Sequence, residues 1–290
     1  MTGEPVQWVA EPDTSLPDHT ARDRIAAVGR SVRRMRGNIS EEHSLPKLAR
    51  SALLSPFHFH RVFRQLTAAT PARFLAALRM AEAKRLLVYT SMSVTDICMQ
   101  VGYSSLGTFT TQFTRLVGVP PRRFRQLIAP FADQRFADIL TQIQPALPEP
   151  AVVQVTGVVT GGPGDGAPAV MGLFQSGIPQ ERPAACAIVR APSIASFGNL
   201  PDGEYHALAM SFAPTATVVD ALVCEDPDLC FVGASTTLVR IEDGQSVTAG
   251  PFRIQLRPRR PIDPPLVLAL PLLLAAELAC QPGGPQYLDE

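Results

Sequence analysis

The sequence has no stretch long and apolar enough to cross a bilayer. Its longest apolar run, Leu266 to Ala279, is interrupted by Pro271 and Glu277 and falls short of the roughly 20 residues that a spanning helix needs. The start, Met-Thr-Gly-Glu-Pro-Val-Gln-Trp, lacks a basic segment followed by an apolar one, so no secretory leader is expected. Cysteine is scarce: Cys98, Cys186, Cys224, Cys230 and Cys280 are an odd set of five with no C-x-x-C pair. That pattern predicts free thiols in a reducing cytoplasm. Walker, G-x-S-x-G and H-E-x-x-H patterns are missing as well, which removes common nucleotide-binding and hydrolytic signatures. Neither a cofactor nor a catalytic residue is expected.

Net charge is also absent, with 26 basic and 26 acidic residues, but the average conceals an asymmetry. Residues 1–135 carry 19 Lys and Arg against 10 Asp and Glu, a net charge of +9. The remainder carries 7 against 16, a net of −9. Eighteen of the 19 basic residues lie between Arg22 and Arg125. Such a segment is either a footprint for nucleic-acid phosphates or a solvated helical surface.

What is present divides the chain in two. Apolar residues make up 46% of the 290, enough for real cores. After a polar tail over residues 1–20, apolar positions recur at helical spacing from Arg22: Ile25, Val28, Val32 and Met35, stopped by Gly37-Asn38. Ser44 precedes a short helix with Leu45, Leu48, Ala49 and Ala52 inward. Leu53-Leu54 makes a tight turn, and Ser55-Pro56 opens a second helix to about Leu66 with Phe59, Val62, Phe63 and Leu66 as its buried stripe. Thr70-Pro71 starts a longer helix to about Tyr89. The short-helix, turn, second-helix pattern then returns from Ser93 to Val117, with Phe109, Phe113 and Leu116 inward, about 49 residues after the first copy. Taking the intervening helix as about 16 residues gives a spacer of roughly 24 Å. Two recognition helices on such a spacer could meet successive major-groove faces about 34 Å apart.

Residues 131–150, with the Pro-rich 145–150, read as a linker. Beyond it come short β-branched runs at 152–159, 169–174, 185–189, 205–212, 237–241 and 252–256, separated by Gly- and Pro-rich turns. The expected fold is therefore multidomain α + β. An all-α double helix-turn-helix domain over 21–130 precedes an antiparallel β-sandwich-like domain over 151–290. Pro258 to Pro265 should be extended with Arg259 and Arg260 exposed. The apolar segment from Leu266 should be core or an interface patch.

The helical half resembles the AraC/XylS family of bacterial transcription regulators. The resemblance rests on Ser55-Pro56-Phe57-His58-Phe59-His60-Arg61-Val62-Phe63, on Thr70-Pro71-Ala72-Arg73-Phe74 with Arg79 to Leu87, and on Val101-Gly102-Tyr103-Ser104-Ser105. It continues through Phe109 to Phe113 and Gly118-Val119-Pro120-Pro121-Arg122-Arg123-Phe124-Arg125. It covers about 100 residues and implies a DNA-binding transcription regulator in the bacterial cytoplasm, at the nucleoid. Three departures stand out. Leu53-Leu54 replaces the family's usual turn glycine, so the turn should be strained or rebuilt. Thr110-Thr111-Gln112 lacks the arginine common between the two core phenylalanines. The module also comes first in the chain rather than last. The β half resembles, more weakly, prealbumin-like or carboxypeptidase-regulatory-like sandwiches through Val155 to Val159, Val170 to Phe174 and Phe197 to Tyr205.

With the stripes inward, the outward faces present the candidate base readers Phe57, His60 and Arg61 in the first unit and Leu106, Gly107, Thr110 and Thr111 in the second. Arginine can fork onto guanine O6 and N7, whereas threonine reads weakly. Lys47, Arg50, Arg64, Arg115, Arg122 and Arg123 are candidate phosphate contacts, which position a protein without specifying sequence. His58 and His60, two apart on a helix, point about 200° apart and do not make a metal site. Double-stranded DNA is the expected partner. RNA polymerase, a small-molecule effector and a second copy of the chain stay open, and a membrane is not expected. The alternatives are a non-specific architectural DNA binder and a DNA-tethered enzyme such as a cysteine alkyl transferase.

Overall fold

The computed structural model describes residues 18–143, 150, 152–224 and 226–269. Most of the expected tail at 1–20, the Pro-rich stretch 145–149 and everything after 269, Cys280 included, lie outside the described residues. The helical half runs α1 (Asp18–Gly37), α2 (Leu45–Ala52), α3 (Pro56–Thr67), α4 (Pro71–Tyr89), α5 (Val94–Gln100), α6 (Leu106–Val117) and α7 (Pro121–Ile128). Most of these starts are capped as local chemistry dictates. Side chains of Ser55, Thr70, Ser93 and Ser105 each accept from a backbone N–H three residues on, satisfying a donor the helix leaves open. Pro56, Pro71 and Pro121 occupy first-turn positions, where no N–H is missed. The helix between the units has the expected bounds, Pro71 to Tyr89, which make 19 residues rather than the 16 taken for the spacer. Its length is thus about 28 Å at 1.5 Å per residue.

The turn between α2 and α3 is strained in the way the missing glycine implies. Leu53 is held at φ 59°, in the left-handed region, while its side chain is 80% exposed. A β-carbon there costs about 1–2 kcal/mol, and little packing offsets it. Leu53→Gly should therefore raise stability by about 1 kcal/mol, read as a higher urea midpoint at unchanged slope. A midpoint that stays put or falls would mean that the leucine side chain stabilises the turn.

Part of the segment expected to be a linker is helical instead. Phe136–Ile143 forms α8, with Phe136, Ile139, Leu140 and Ile143 buried. Phe136 packs edge-on against Phe212 at 4.8 Å between ring centroids, and its N–H donates to the Ala216 carbonyl. Four apolar side chains at helical spacing were visible there in sequence, but the sheet face that covers them was not.

The β half contains β1 (Val155–Gly161), β2 (Ala167–Phe174), β3 (Ala185–Ala191), β4 (Ser193–Phe197), β5 (Gly203–Phe212), α9 (Val218–Val223), β6 (Cys230–Ala234), β7 (Val239–Glu242), β8 (Gln245–Ser246) and β9 (Phe252–Pro258). The sheet order is β3-β2-β5-β6-β9-β1-β4, with β7 and β8 off one end of β5. Every pair is antiparallel except β1 with β9. The two edge strands β3 and β4 are consecutive in the chain, separated by Pro192 alone, so the sheet curls nearly shut. Inside lie Val159, Met171, Leu173, Tyr205, Ala207, Phe252 and Ile254. Outside, Val170, Phe174, Leu208, Phe212 and Val232 join the core of the helical half. Strand β2 is buried on both faces, which is why its sequence reads as a continuous apolar run.

The two halves share that core and are also hydrogen-bonded together. The N–H of Glu181 donates to the Leu116 carbonyl and that of Ala269 to the Val117 carbonyl. Gly177, in the β2–β3 connection, sits so close to Ala68 that a β-carbon would run into it. Residues 266–269, expected to be core or patch, are core: Leu266, Val267, Leu268 and Ala269 are all buried. Arg259, expected to be exposed, is half-buried because its guanidinium reaches the Cys224 carbonyl at 3.1 Å; Arg260 is exposed.

The expectation of free thiols fails for one pair. Cys224, at the C-terminal cap of α9, and Cys230, the first residue of β6, form a disulfide with Cα atoms 5.9 Å apart. The odd count could not reveal that a helix end and a strand start would be folded against each other. Cys98 is a buried free thiol. The bridge closes a loop with a sequence separation of 6, so reduction should cost about 2 kcal/mol by loop entropy. Melting with and without dithiothreitol measures this, and the Cys224→Ser/Cys230→Ser double variant should show no reductant response.

Candidate nucleic-acid interface

Each helix-turn-helix unit is anchored by the same aromatic triad. In the first, Phe59, Phe63 and Phe74 meet in sequence, tilted and then edge-on, with ring centroids 5.3 Å and 5.4 Å apart. In the second, Phe109, Phe113 and Phe124 do the same, at 5.7 Å for both contacts. All six rings are fully buried, and each member of the second triad lies 50 residues after its counterpart. The outer triad members Phe74 and Phe124 belong to the helix that follows each recognition helix, so in both units they fix that helix against the reader.

With those rings inward, the opposite faces of α3 and α6 are open. On α3, Phe57 is 83% exposed, Arg61 and Arg64 are exposed and His60 is half-buried. On α6, Leu106, Gly107 and Thr111 are exposed, whereas Thr110 is half-buried and its carbonyl accepts from the Thr114 hydroxyl. Lys47, Arg50, Arg122 and Arg123 are exposed around the two units. Arg115 is exposed too, but it donates to the Gln112 amide oxygen at 3.0 Å and faces Glu181 at 3.7 Å. Among the described residues no group of His, Cys, Asp and Glu could hold a metal ion.

Several basic residues counted in the sequence are committed inside the module instead. Arg30 donates to the carbonyls of Ser51 and Ala52. Arg79 donates to those of Ile39 and Glu41, with its guanidinium 5.7 Å from the Tyr103 ring centre. Arg125 donates to Leu87, Thr90 and Met92 carbonyls, tying α7 to the end of α4. Lys84 is fully buried, and its amine donates to the carbonyls of Leu222 at 2.6 Å and Leu266 at 2.7 Å. Burial lowers its pKa from the ordinary lysine value to about 7, with the Arg259 charge adding to the effect. Charge counting cannot separate such residues from surface ones. Only long-range partners, up to 182 residues away for Lys84, reveal the difference.

A protein-family description, helix-turn-helix domain, matches residues 48–127, the span that contains both triads. Those residues form a helix-turn-helix domain of the AraC type. The chain is 33% identical over 90 residues to the bifunctional transcriptional activator/DNA repair enzyme AdaA of Bacillus subtilis, covering 31% of this chain and 43% of that protein. It is 38% identical over 89 residues to the transcriptional activator RhaS of an Enterobacter species, covering 31% of this chain and 32% of that one. The chain thus spans less than half the length of either relative. A solved AraC-type DNA-binding regulator from Chromobacterium violaceum aligns over 36% of this chain and 94% of its own, at 28% identity and a TM-score of 0.35. Among the described residues no helix is long and apolar enough to cross a membrane.

Proposed function

We propose that this protein is a sequence-reading, DNA-binding transcription regulator in the bacterial cytoplasm. The observation that carries the reading is the pair of recognition helices, each capped, each held by an equivalent phenylalanine triad, and each with its opposite face exposed. Arg61 reads guanine through its guanidinium fork, His60 reads a neighbouring base edge and Phe57 lies against a thymine methyl. Leu106, Gly107, Thr110 and Thr111 form the weaker reader, because threonine and apolar contacts carry less discrimination than a bidentate arginine. Lys47, Arg50, Arg64, Arg115, Arg122 and Arg123 hold the phosphates and set the register. On this reading residues 21–130 are the DNA-binding module and the β half begins at about 151. Contact between the halves lets an effector, a second copy or RNA polymerase on the β side bias the DNA-reading side.

Alkyl transfer is the weaker alternative at three of the five cysteines. The Cys98 thiol is buried and burial pushes its pKa up, the opposite of an activated nucleophile, while Cys224 and Cys230 are bonded to each other. Genome-wide mapping of bound DNA in the native host tests the regulator reading. Discrete peaks sharing one motif are expected, together with operator affinity at least about 10³-fold above random DNA. Diffuse occupancy with no such ratio would leave an architectural binder.

A further inference from the structure

A cleft of about 800 Å³ opens between the start of α4, the far end of α6 and the β2–β3 connection. That volume is within the range of small-molecule sites, roughly 300–1,000 Å³, and is far larger than a single ion requires. Its walls come from both halves of the protein. Arg73 and Arg115 belong to the DNA-binding module; Arg182 and Glu181 belong to the connection between the strands. Two of these guanidinium groups come from the basic half and one from the connection, and the one carboxylate among the described lining residues, Glu181, already faces Arg115. Gln112, Gln180 and Asn199 add amides that both donate and accept.

We infer that this cleft is an effector site for a small organic anion: a carboxylate or phosphate ester on a hydroxyl-bearing body. Planar guanidinium forks match the oxygens of carboxylate and phosphate two at a time, and amide side chains match hydroxyls. Its regulatory consequence rests on the DNA-binding reading above; the binding itself does not.

The same geometry gives the anion a route to the DNA-reading side. Glu181 is the carboxylate 3.7 Å from Arg115, and its backbone N–H holds the Leu116 carbonyl one residue further along α6. An incoming anion replaces Glu181 as the counter-charge of Arg115. The β2–β3 connection, packed against Ala68 through Gly177, then shifts against both recognition units at once. Anion and DNA affinities become linked, and each changes the other by the same factor.

The test uses the full chain in thermal melts and calorimetric titrations with citrate, 3-phosphoglycerate and glucose 6-phosphate, and with glucose as the uncharged control. At least one anion at millimolar concentration should raise the melting midpoint by several degrees, and glucose should not. Ala72→Trp fills the cleft from an exposed position on α4. Arg182→Gln removes one guanidinium. Each should weaken the bound anion about tenfold or more, Ala72→Trp by occupying its space and Arg182→Gln by the loss of one charge-assisted pair. Arg61→Ala, on the DNA-reading face, should leave anion affinity unchanged. Should Ala72→Trp fail to fold, Arg182→Gln alone decides.

Three results overturn the inference. In one, no anion stabilises the protein beyond glucose. In another, anion affinity is intact in Arg182→Gln. In the third, affinity is abolished by Arg61→Ala, which would place the anion on the phosphate-binding surface. DNA affinity, measured separately on the same samples, reports on the regulator reading. Its absence with the cleft titration intact would sink the regulator reading and the linkage, and leave the anion site standing.

Discussion

Lys84→Ala should lower the stability of the protein by about 3–5 kcal/mol above pH ~10.5, where the amine is neutral in the folded and unfolded chain alike, because it opens a cavity and strands two carbonyls in one step. The amine is on α4, the helix that joins the two recognition units, and its partners are Leu222 at the end of α9 and Leu266 in the buried segment after β9. It thus fastens the DNA-binding module to the β half at a point that no water reaches. A neutral amine has two N–H groups, one for each carbonyl, so the clamp survives loss of the proton. Burial brings its pKa down to about 7, while in the unfolded chain it stays near 10.5. Between those values the unfolded chain holds a proton that the folded protein does not. Stability contributed by this site therefore rises with pH from about 7 to 10.5 and is flat below 7. The rise is of the order of 5 kcal/mol at 1.36 kcal/mol per unit. Chemical denaturation across that range in wild type and Lys84→Met measures it. Lys84→Met should remove one proton's worth of slope, and an unchanged slope would mean that the buried amine keeps its charge. Proteolytic nicking between the halves should also quicken in Lys84→Ala.

Arg61→Ala should collapse discrimination while leaving much of the general affinity for DNA. A bidentate contact to guanine contributes about 1–3 kcal/mol against the wrong base, so the ratio of operator to random-DNA affinity should fall about 5- to 150-fold. Arg122→Ala and Arg123→Ala should behave differently. Each weakens binding to all sequences alike and reduces the slope of log affinity against log salt by about 1. Titrations of operator and random duplexes at several salt concentrations separate the two behaviours. Equal losses on both duplexes for Arg61→Ala would make it a phosphate clamp and move base reading elsewhere on α3. The weaker second reader sharpens the expectation, since little in Leu106, Gly107 or Thr111 can compensate.

The local chemistry of the helical half was legible in the sequence. Ser or Thr before a first-turn proline, apolar stripes at helical spacing and repeated phenylalanines are short-range signals, and α2 to α7 lie where those signals fall. The exposed faces of α3 and α6 follow from the stripes, so the candidate readers could be named before any fold was known, with Thr110 only half-exposed. Even the strain at Leu53 was implied by a missing glycine.

Where the sequence misled, a distant partner decides the outcome. Phe136–Ile143 became a helix because the outer face of the sheet covers it. Cys224 and Cys230 became a disulfide because α9 ends beside the start of β6. Strands β4 and β6 are only five residues each, too short for their signals to stand out from the flanking turns; β4 alternates, with Ala195 and Phe197 inward and Ile194 exposed, whereas β6 is buried along most of its length. Arg30, Arg79, Lys84 and Arg125 looked like surface charge, since a basic side chain reads the same whether it faces water or a carbonyl many residues away. The sequence by itself determined two capped recognition helices, their anchoring rings and their outward side chains, because those depend on neighbours within a few turns. Only the tertiary structure decided that the acidic half shares a core with the basic one and forms a cleft beside α6, because that depends on which surfaces meet.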